Sequence, residues 1–321
     1  WGAYYVGEIQ AEWKQAADNV DHLLQLDVTG LRRDLPIQIH HAAATWAGSV
    51  GDIETCLHHG RAILAMYDRE LHADHRFRFG GHDPCVCAHG QAALGLAGAG
   101  SPDEALDLAR RGVDLAHELE HPPTTALGLW FLAWTVYELD EIDEARSAVA
   151  DVMLFCEQHG ARAIARSAEI LRLAALADRE EAFREFHARL ERMRQRDQRG
   201  FLVPTFAACA AQAALDVGRI DEAAIAIAFG QHVADESGEH FSLGHLHHLR
   251  GRALEAGGPR DAELALAEHG TSLEICREQG RHWTGLLPAM DSAELLAERG
   301  DRRHAVDTLT AALAPFPDDL H

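Results

Sequence analysis

A short acidic-alanine signature recurs at near-constant spacing along this chain, and a repeat of that length narrows the accessible folds more than any single residue does. Its clearest copies are Ser101-Pro102-Asp103-Glu104-Ala105, Glu141-Ile142-Asp143-Glu144-Ala145, Asp178-Arg179-Glu180-Glu181-Ala182 and Arg219-Ile220-Asp221-Glu222-Ala223. Looser copies are Gly51-Asp52-Ile53-Glu54-Thr55, Pro259-Arg260-Asp261-Ala262 and Asp301-Arg302-Arg303-His304-Ala305, with a truncated one at Gly7-Glu8-Ile9-Gln10-Ala11. Successive copies end 44, 50, 40, 37, 41, 39 and 43 residues apart, the period of stacked helix-turn-helix units.

The residues around each copy explain why it opens a helix. After Pro102, the residues Ala105, Leu106, Ala109, Val113 and Ala116 share one stripe while Asp107, Arg110, Arg111, Asp114 and Glu118 face away, so the helix must bury one side against neighbours. Ser101 is placed to cap its exposed amides, Pro102 suits the first turn, and Asp103 with Glu104 complements the positive end of the dipole. Upstream of each signature, first helices rich in alanine are expected over 36–47, 84–98, 124–138, 161–177, 202–217, 240–256 and 282–299. Small residues such as Ala133, Ala168, Ala211 and Ala293 let these helices approach their partners closely. The expected fold is all-α, an α-solenoid of about seven TPR-like helix-turn-helix repeats. No linker demands a boundary, so 1–321 reads as a single helical-repeat domain whose concave groove is lined by the first helices.

Charge and cysteine usage exclude several partners. The 29 basic and 51 acidic residues leave a net charge of −22, which repels nucleic acid and anionic membranes. The cluster Arg189, Arg192, Arg194, Arg196 and Arg199 reads as a solvated helix face. Six scattered cysteines with no C-x-x-C fit reduced thiols better than a disulfide framework, and no apolar run reaches the length of a membrane span. A cytoplasmic location is expected. The chain starts at Trp1 and reads as a fragment or a processed form.

One step of the repeat is too long. The 50-residue interval places an insertion at 69–83, sequence RELHADHRFRFGGHD, which cannot continue a helix through Gly80-Gly81 and is long for a repeat connection. Here Tyr67-Asp68, His72, Arg78-Phe79-Gly80, Asp83-Pro84 and Ala92-Ala93-Leu94 resemble the C-terminal TPR-like arrays of bacterial proteins that join a signal-transduction ATPase to a class III adenylate/guanylate cyclase. Glu118-Leu119 with His121-Pro122, and Leu246-His247 with Leu249-Arg250-Gly251, extend the resemblance along the chain. It implies a regulatory or partner-sensing array, with an ATPase or cyclase domain N-terminal to it. The chain itself has neither a Walker A sequence nor a cyclase catalytic segment, so the resemblance carries over no catalytic residue.

The expected function is a non-catalytic scaffold or sensor that binds a protein or peptide segment, or a small effector, in its groove. Arg76, Arg78, Asp83 and His89 are the expected lining at the loop. Trp130 and Trp134, four apart on one helix, could pack between repeats or anchor a ligand, and His245 and His248 could share the concave face. Solenoid ends also permit homo-oligomers. The competing class is a metal protein. His72, His75, His82, Cys85 and His89 offer imidazole and thiol ligands for zinc or copper, with Cys85 and His89 one turn apart and Cys87 pointing elsewhere. His117-Glu118-Leu119-Glu120-His121 is a literal H-E-x-x-H, the pattern of a zinc hydrolase. Pro122 and Pro123 follow directly, which ends the helix at His121 and argues against that reading. No cofactor is expected under the scaffold reading.

Overall fold

The computed structural model describes residues 2–26 and 32–316. It divides into two compact units, Trp1–Ala97 with Ser101–Ala177, and Gly98–Gly100 with Asp178–His321. In the first unit the helices are α1 Gly2–Gln10, α2 Trp13–Leu24, α3 Pro36–Val50, α4 Ile53–Met66, α5 Arg69–His72, α6 His75–Arg78, α7 Pro84–Ala99, α8 Pro102–Glu118, α9 Pro122–Glu138, α10 Ile142–His159 and α11 Arg162–Ala174. The second contains α12 Arg179–Gln195, α13 Val203–Asp216, α14 Ile220–Ser237, α15 Leu243–Gly257, a short 3-10 turn at Pro259–Asp261, α16 Ala262–Gln279, α17 Leu286–Glu298 and α18 Arg302–Leu313. No strand occurs among the described residues. The fold is an all-helical, TPR-like helical repeat, and no described helix is long and apolar enough to cross a membrane.

The signatures open second helices as the pattern requires. Helices α4, α8, α10, α12, α14, α16 and α18 all begin within a signature, and α4, α10, α14, α16 and α18 pack on the preceding α3, α9, α13, α15 and α17. The capping group is an aspartate where a side chain caps at all. Asp52 accepts from the Thr55 N–H at 3.0 Å, Asp178 from Glu181 at 3.0 Å and Asp301 from His304 at 3.3 Å. The Ser101 hydroxyl makes no such bond, contrary to the sequence expectation, so α8 starts on Pro102 and its acidic first turn. Unlike the others, the copy at Gly7–Ala11 does not open a helix. It ends α1, and the chain turns at Ala11, φ +54°, before α2.

Alanine-rich first helices form the core because they can approach closely. Residue Gly90 of α7 is the tightest case: a Cβ there would lie 2.1 Å from Cγ of Phe131 on α9, so only glycine allows this crossing. The insertion forms the two single-turn helices α5 and α6 and then stops at Gly80 and Gly81, φ +78° and +77°, a backbone that L side chains rarely adopt.

Candidate functional site

Beneath the insertion, the first unit holds a connected line of polar side chains where an ordinary repeat would place apolar ones. Helix α3 supplies Gln38 and His41, both essentially buried, and the segment before it supplies Asp34. His75, fully buried on α6, places Nε2 3.1 Å from Asp34 Oδ2 and Nδ1 2.8 Å from Gln38 Nε2. Gln38 Oε1 lies 3.4 Å from His41 Nδ1. His41 Nε2 faces His82 Nε2 at 3.3 Å, and His82 Nδ1 lies 3.2 Å from the Gly80 carbonyl, which also accepts from the Tyr5 hydroxyl. Arg32 holds Asp34 by two contacts, and Arg78 approaches the same carboxylate at 3.9 Å.

Electrostatics keep these imidazoles neutral and Asp34 ionised. Burial pushes His41 well below its usual value, helped by its neighbours His82 and His75, and takes His82 down to about 4 because an imidazolium loses its hydration there. Burial alone would raise Asp34, but hydrogen bonds from Arg32 and His75 outweigh it and bring the carboxyl to about 2.

The expected loop residues divide into a buried set and an exposed set. Asp83 is fully buried, not a groove residue: it accepts from the Cys85 N–H at 2.9 Å, the Val86 N–H at 3.2 Å and the Tyr67 hydroxyl at 2.9 Å, while its own N–H donates to Thr124 Oγ1. It is the cap that fixes the start of α7. His89 is also internal, its Nδ1–H donating to the Cys85 carbonyl at 2.8 Å. Arg76 and Arg78 do reach the surface. They flank Phe77, which is 66% exposed and has the Arg76 guanidinium 4.5 Å from its ring centre.

The expected metal set is not brought together. His72 Nδ1 accepts the Asp68 N–H, His75 is held between Asp34 and Gln38, and the His89 nitrogen beside Cys85 carries the proton it donates. Among the described residues, His82 alone of that set lies in a group of three or more candidate ligand atoms. Its partners are His41 and Cys87, whose ligand atoms lie within 4.8 Å of one another and of His82. Sequence reasoning placed Cys87 elsewhere and missed His41, 41 positions upstream, since only the packing of α3 against the loop joins them. The H-E-x-x-H pattern is broken as the prolines require: α8 ends at Glu118, Glu120 turns with φ +50°, and His121 stands just before α9 with Nδ1 2.8 Å from Thr124 Oγ1.

Trp130 and Trp134 are buried, their rings 5.0 Å apart, so they serve as packing and not as an exposed platform. In the second unit, burial and neighbouring cations drive His245 down to about 3, and buried His248 contacts Asp291 Oδ2 at 2.7 Å. The arginines expected on a solvated face sit there in ion pairs, Arg189 with Glu185 and Arg194 with Glu191. One feature had no sequence signal. Between α10 and α11 an open pocket of about 710 Å³ is lined by Arg146, Arg162 and Arg172 around Met153, Leu154 and Ala165.

No family model matches the chain, and no curated protein matches it. Solved structures do. The chain is similar to a Rap protein complexed with Competence and Sporulation Factor, at 12% identity over 94% of this chain and 80% of that one, TM-score 0.68. A Rap conjugation gene regulator of the plasmid pLS20, in complex with the Phr* peptide, matches at 11% identity, 88% and 73% coverage, TM-score 0.59. The apo form of RapI matches at 10% identity, 88% and 97% coverage, TM-score 0.54. At such identities the likeness is one of fold, and it places the chain among TPR-like helical-repeat structures.

Proposed function

We propose that this chain is a non-catalytic regulatory module that captures a short peptide or protein segment on the loop-bearing face of its first unit. The observation that carries the reading is Phe77, a large aromatic exposed beside the Arg76 guanidinium, with exposed Arg78 next in sequence, on a loop whose base is pinned by buried Asp34, His75 and Asp83. An exposed aromatic on a rigid base binds at low entropic cost, and flanking arginines fix the register of an acidic or carboxylate-bearing partner. One structure of similar fold is a complex with the Phr* peptide and another a complex with Competence and Sporulation Factor, and the former supports a peptide as the ligand class. Reduced, buried thiols suit a cytoplasmic setting, and the module would serve as the sensing end of a longer ATPase or cyclase chain or of a self-associating assembly.

A random peptide library panned against the whole chain supplies the probe, and fluorescence anisotropy of the enriched peptide measures affinity. Phe77→Ala and Arg78→Ala are expected to weaken binding about tenfold or more, the scale of an interface anchor, with an unchanged melting temperature. If affinity instead falls only with Arg162→Ala, the pocket between α10 and α11 is the site. Equal loss of binding and of melting temperature in Arg78→Ala makes that arginine structural and ends the loop reading.

A further inference from the structure

The pocket between α10 and α11 has two charged ends of different character. Its wall on α10 carries Arg146, Ala150, Met153, Leu154 and Glu157, one helical face about 16 Å long at 1.5 Å per residue. After the turn at Gly160 and Ala161, α11 adds Arg162, Ala165 and Arg172. At the far end both arginines are occupied. Arg146 donates to the Ala175 carbonyl at 2.6 Å and pairs with Asp143, and Arg172 holds Glu169 by two contacts at 2.5 and 2.9 Å. At the turn end, Glu157 and Arg162 are both exposed. Among the described residues neither side chain makes a hydrogen bond or an ion pair, with each other or with any neighbour. Between the two ends the lining is apolar, and Leu154 there is 55% exposed. No side chain caps α11, whose N-cap residue is Ala161, so its first-turn N–H groups add a positive helix end beside Arg162.

We propose that this pocket binds a small zwitterion with an aliphatic side chain, an α-amino acid of the leucine or methionine type. Opposite charges that line one cavity without pairing carry the inference. An exposed pair gains little by closing on itself, whereas a ligand that bears both charges satisfies both groups at once. The ligand carboxylate takes the Arg162 guanidinium, whose planar fork matches it, and the uncapped end of α11. The ligand ammonium takes the Glu157 carboxylate. A purely anionic ligand meets Glu157 as a like charge, and a purely cationic one meets Arg162. The side chain then lies on Met153, Leu154 and Ala165 and leaves water. Arg146 and Arg172 already have carboxylate partners in Asp143 and Glu169, so the far end offers no free cation to a second carboxylate and favours an aliphatic chain over an acidic one. A cavity of about 710 Å³, mostly apolar with a few polar groups at one end, has the size and make-up of a small-molecule site. Bound across the turn, the ligand ties the end of α10 to the start of α11. None of the lining belongs to the 69–83 loop, and the inference does not rest on peptide capture there.

The test is calorimetric titration of the whole chain with L-leucine and L-methionine, beside leucine amide, which lacks the carboxylate, isocaproate, which lacks the ammonium, and L-glutamate. Saturable binding of leucine or methionine is expected, with the two single-charge analogues and glutamate about tenfold weaker or more, the scale of one lost charged hydrogen bond. Leucine is also expected to raise the melting temperature of the parent chain, a readout that needs no variant. Arg162→Ala and Glu157→Gln are each expected to weaken leucine about 10- to 100-fold without changing the melting temperature of the free chain. Isocaproate is expected to bind Glu157→Gln no more weakly than it binds the parent, because the like charge is gone. Exposed Arg192→Ala on α12 is expected to bind leucine like the parent. No saturable heat together with no rise in melting temperature overturns the proposal. So does leucine amide, isocaproate or glutamate binding as tightly as leucine, or a leucine affinity that neither Arg162→Ala nor Glu157→Gln moves.

Discussion

Asp83 shows how one residue can look like a ligand contact and act as a structural one. Burial raises its carboxyl pKa, yet it accepts two backbone N–H groups and the Tyr67 hydroxyl, and the helix that carries Cys85 and Cys87 begins on it. Losing a cap costs about 1 kcal/mol and stranding a buried hydroxyl about 1–3 more. Asp83→Ala is therefore expected to lower the unfolding free energy by about 2–4 kcal/mol in urea titrations, and Tyr67→Phe by less than half of that. An Asp83→Ala variant within about 0.5 kcal/mol of the parent, the spread of surface substitutions, would mean that α7 is held by other contacts. Arg78 behaves differently because it is exposed, and its removal is expected to leave stability alone.

At the scale of the element, the signature marks where helices start, but side-chain capping varies along the array. Asp52 caps α4 while Ser101 leaves α8 uncapped. Asp52→Ala is expected to cost about 1 kcal/mol and Ser101→Ala much less, a difference that paired denaturation curves would resolve. Helix crossings set the second constraint. Gly90→Ala pushes a methyl into the Phe131 ring and is expected to destabilise by about 1–3 kcal/mol, the usual cost of overpacking. A Gly90→Ala chain as stable as the parent would show that α7 and α9 can separate freely.

The whole molecule carries a pH dependence that its histidines impose. Burial takes His59 down to about 4, with His40 and His58 adding to the effect, and His245 to about 3, from an unfolded value near 6.5. Groups whose folded value is depressed bind more protons when unfolded, so stability rises with pH across that interval. Melting temperature is expected to fall steadily as pH drops from about 6.5 towards 4, and a flat profile would refute this account of His59 and His245. Net charge acts in the same direction of thought. With −22 on the chain, raising ionic strength from about 0.01 to 0.1 M shortens the screening length from about 30 to 10 Å and is expected to raise the melting temperature by relieving self-repulsion.

Periodicity determined the architecture from the sequence alone. Copies of the signature every forty residues or so, acidic first turns and glycine stops are local, so they can be read without knowing what packs on what, and the start of nearly every second helix follows from them. The extra length at 69–83 is local too, and its Gly80-Gly81 stop is legible. The polar line from Asp34 to Gly80 was decided only by tertiary structure. Its members lie up to about one repeat apart and no spacing rule links Gln38 to His75, or His41 to His82 and Cys87. The same holds for Asp83 and His89, whose residue types suggest a binding surface and whose burial makes them supports. Hydrophobic period reports which face of a helix is buried, but which side chains meet there depends on how neighbouring helices and a fifteen-residue insertion pack in three dimensions.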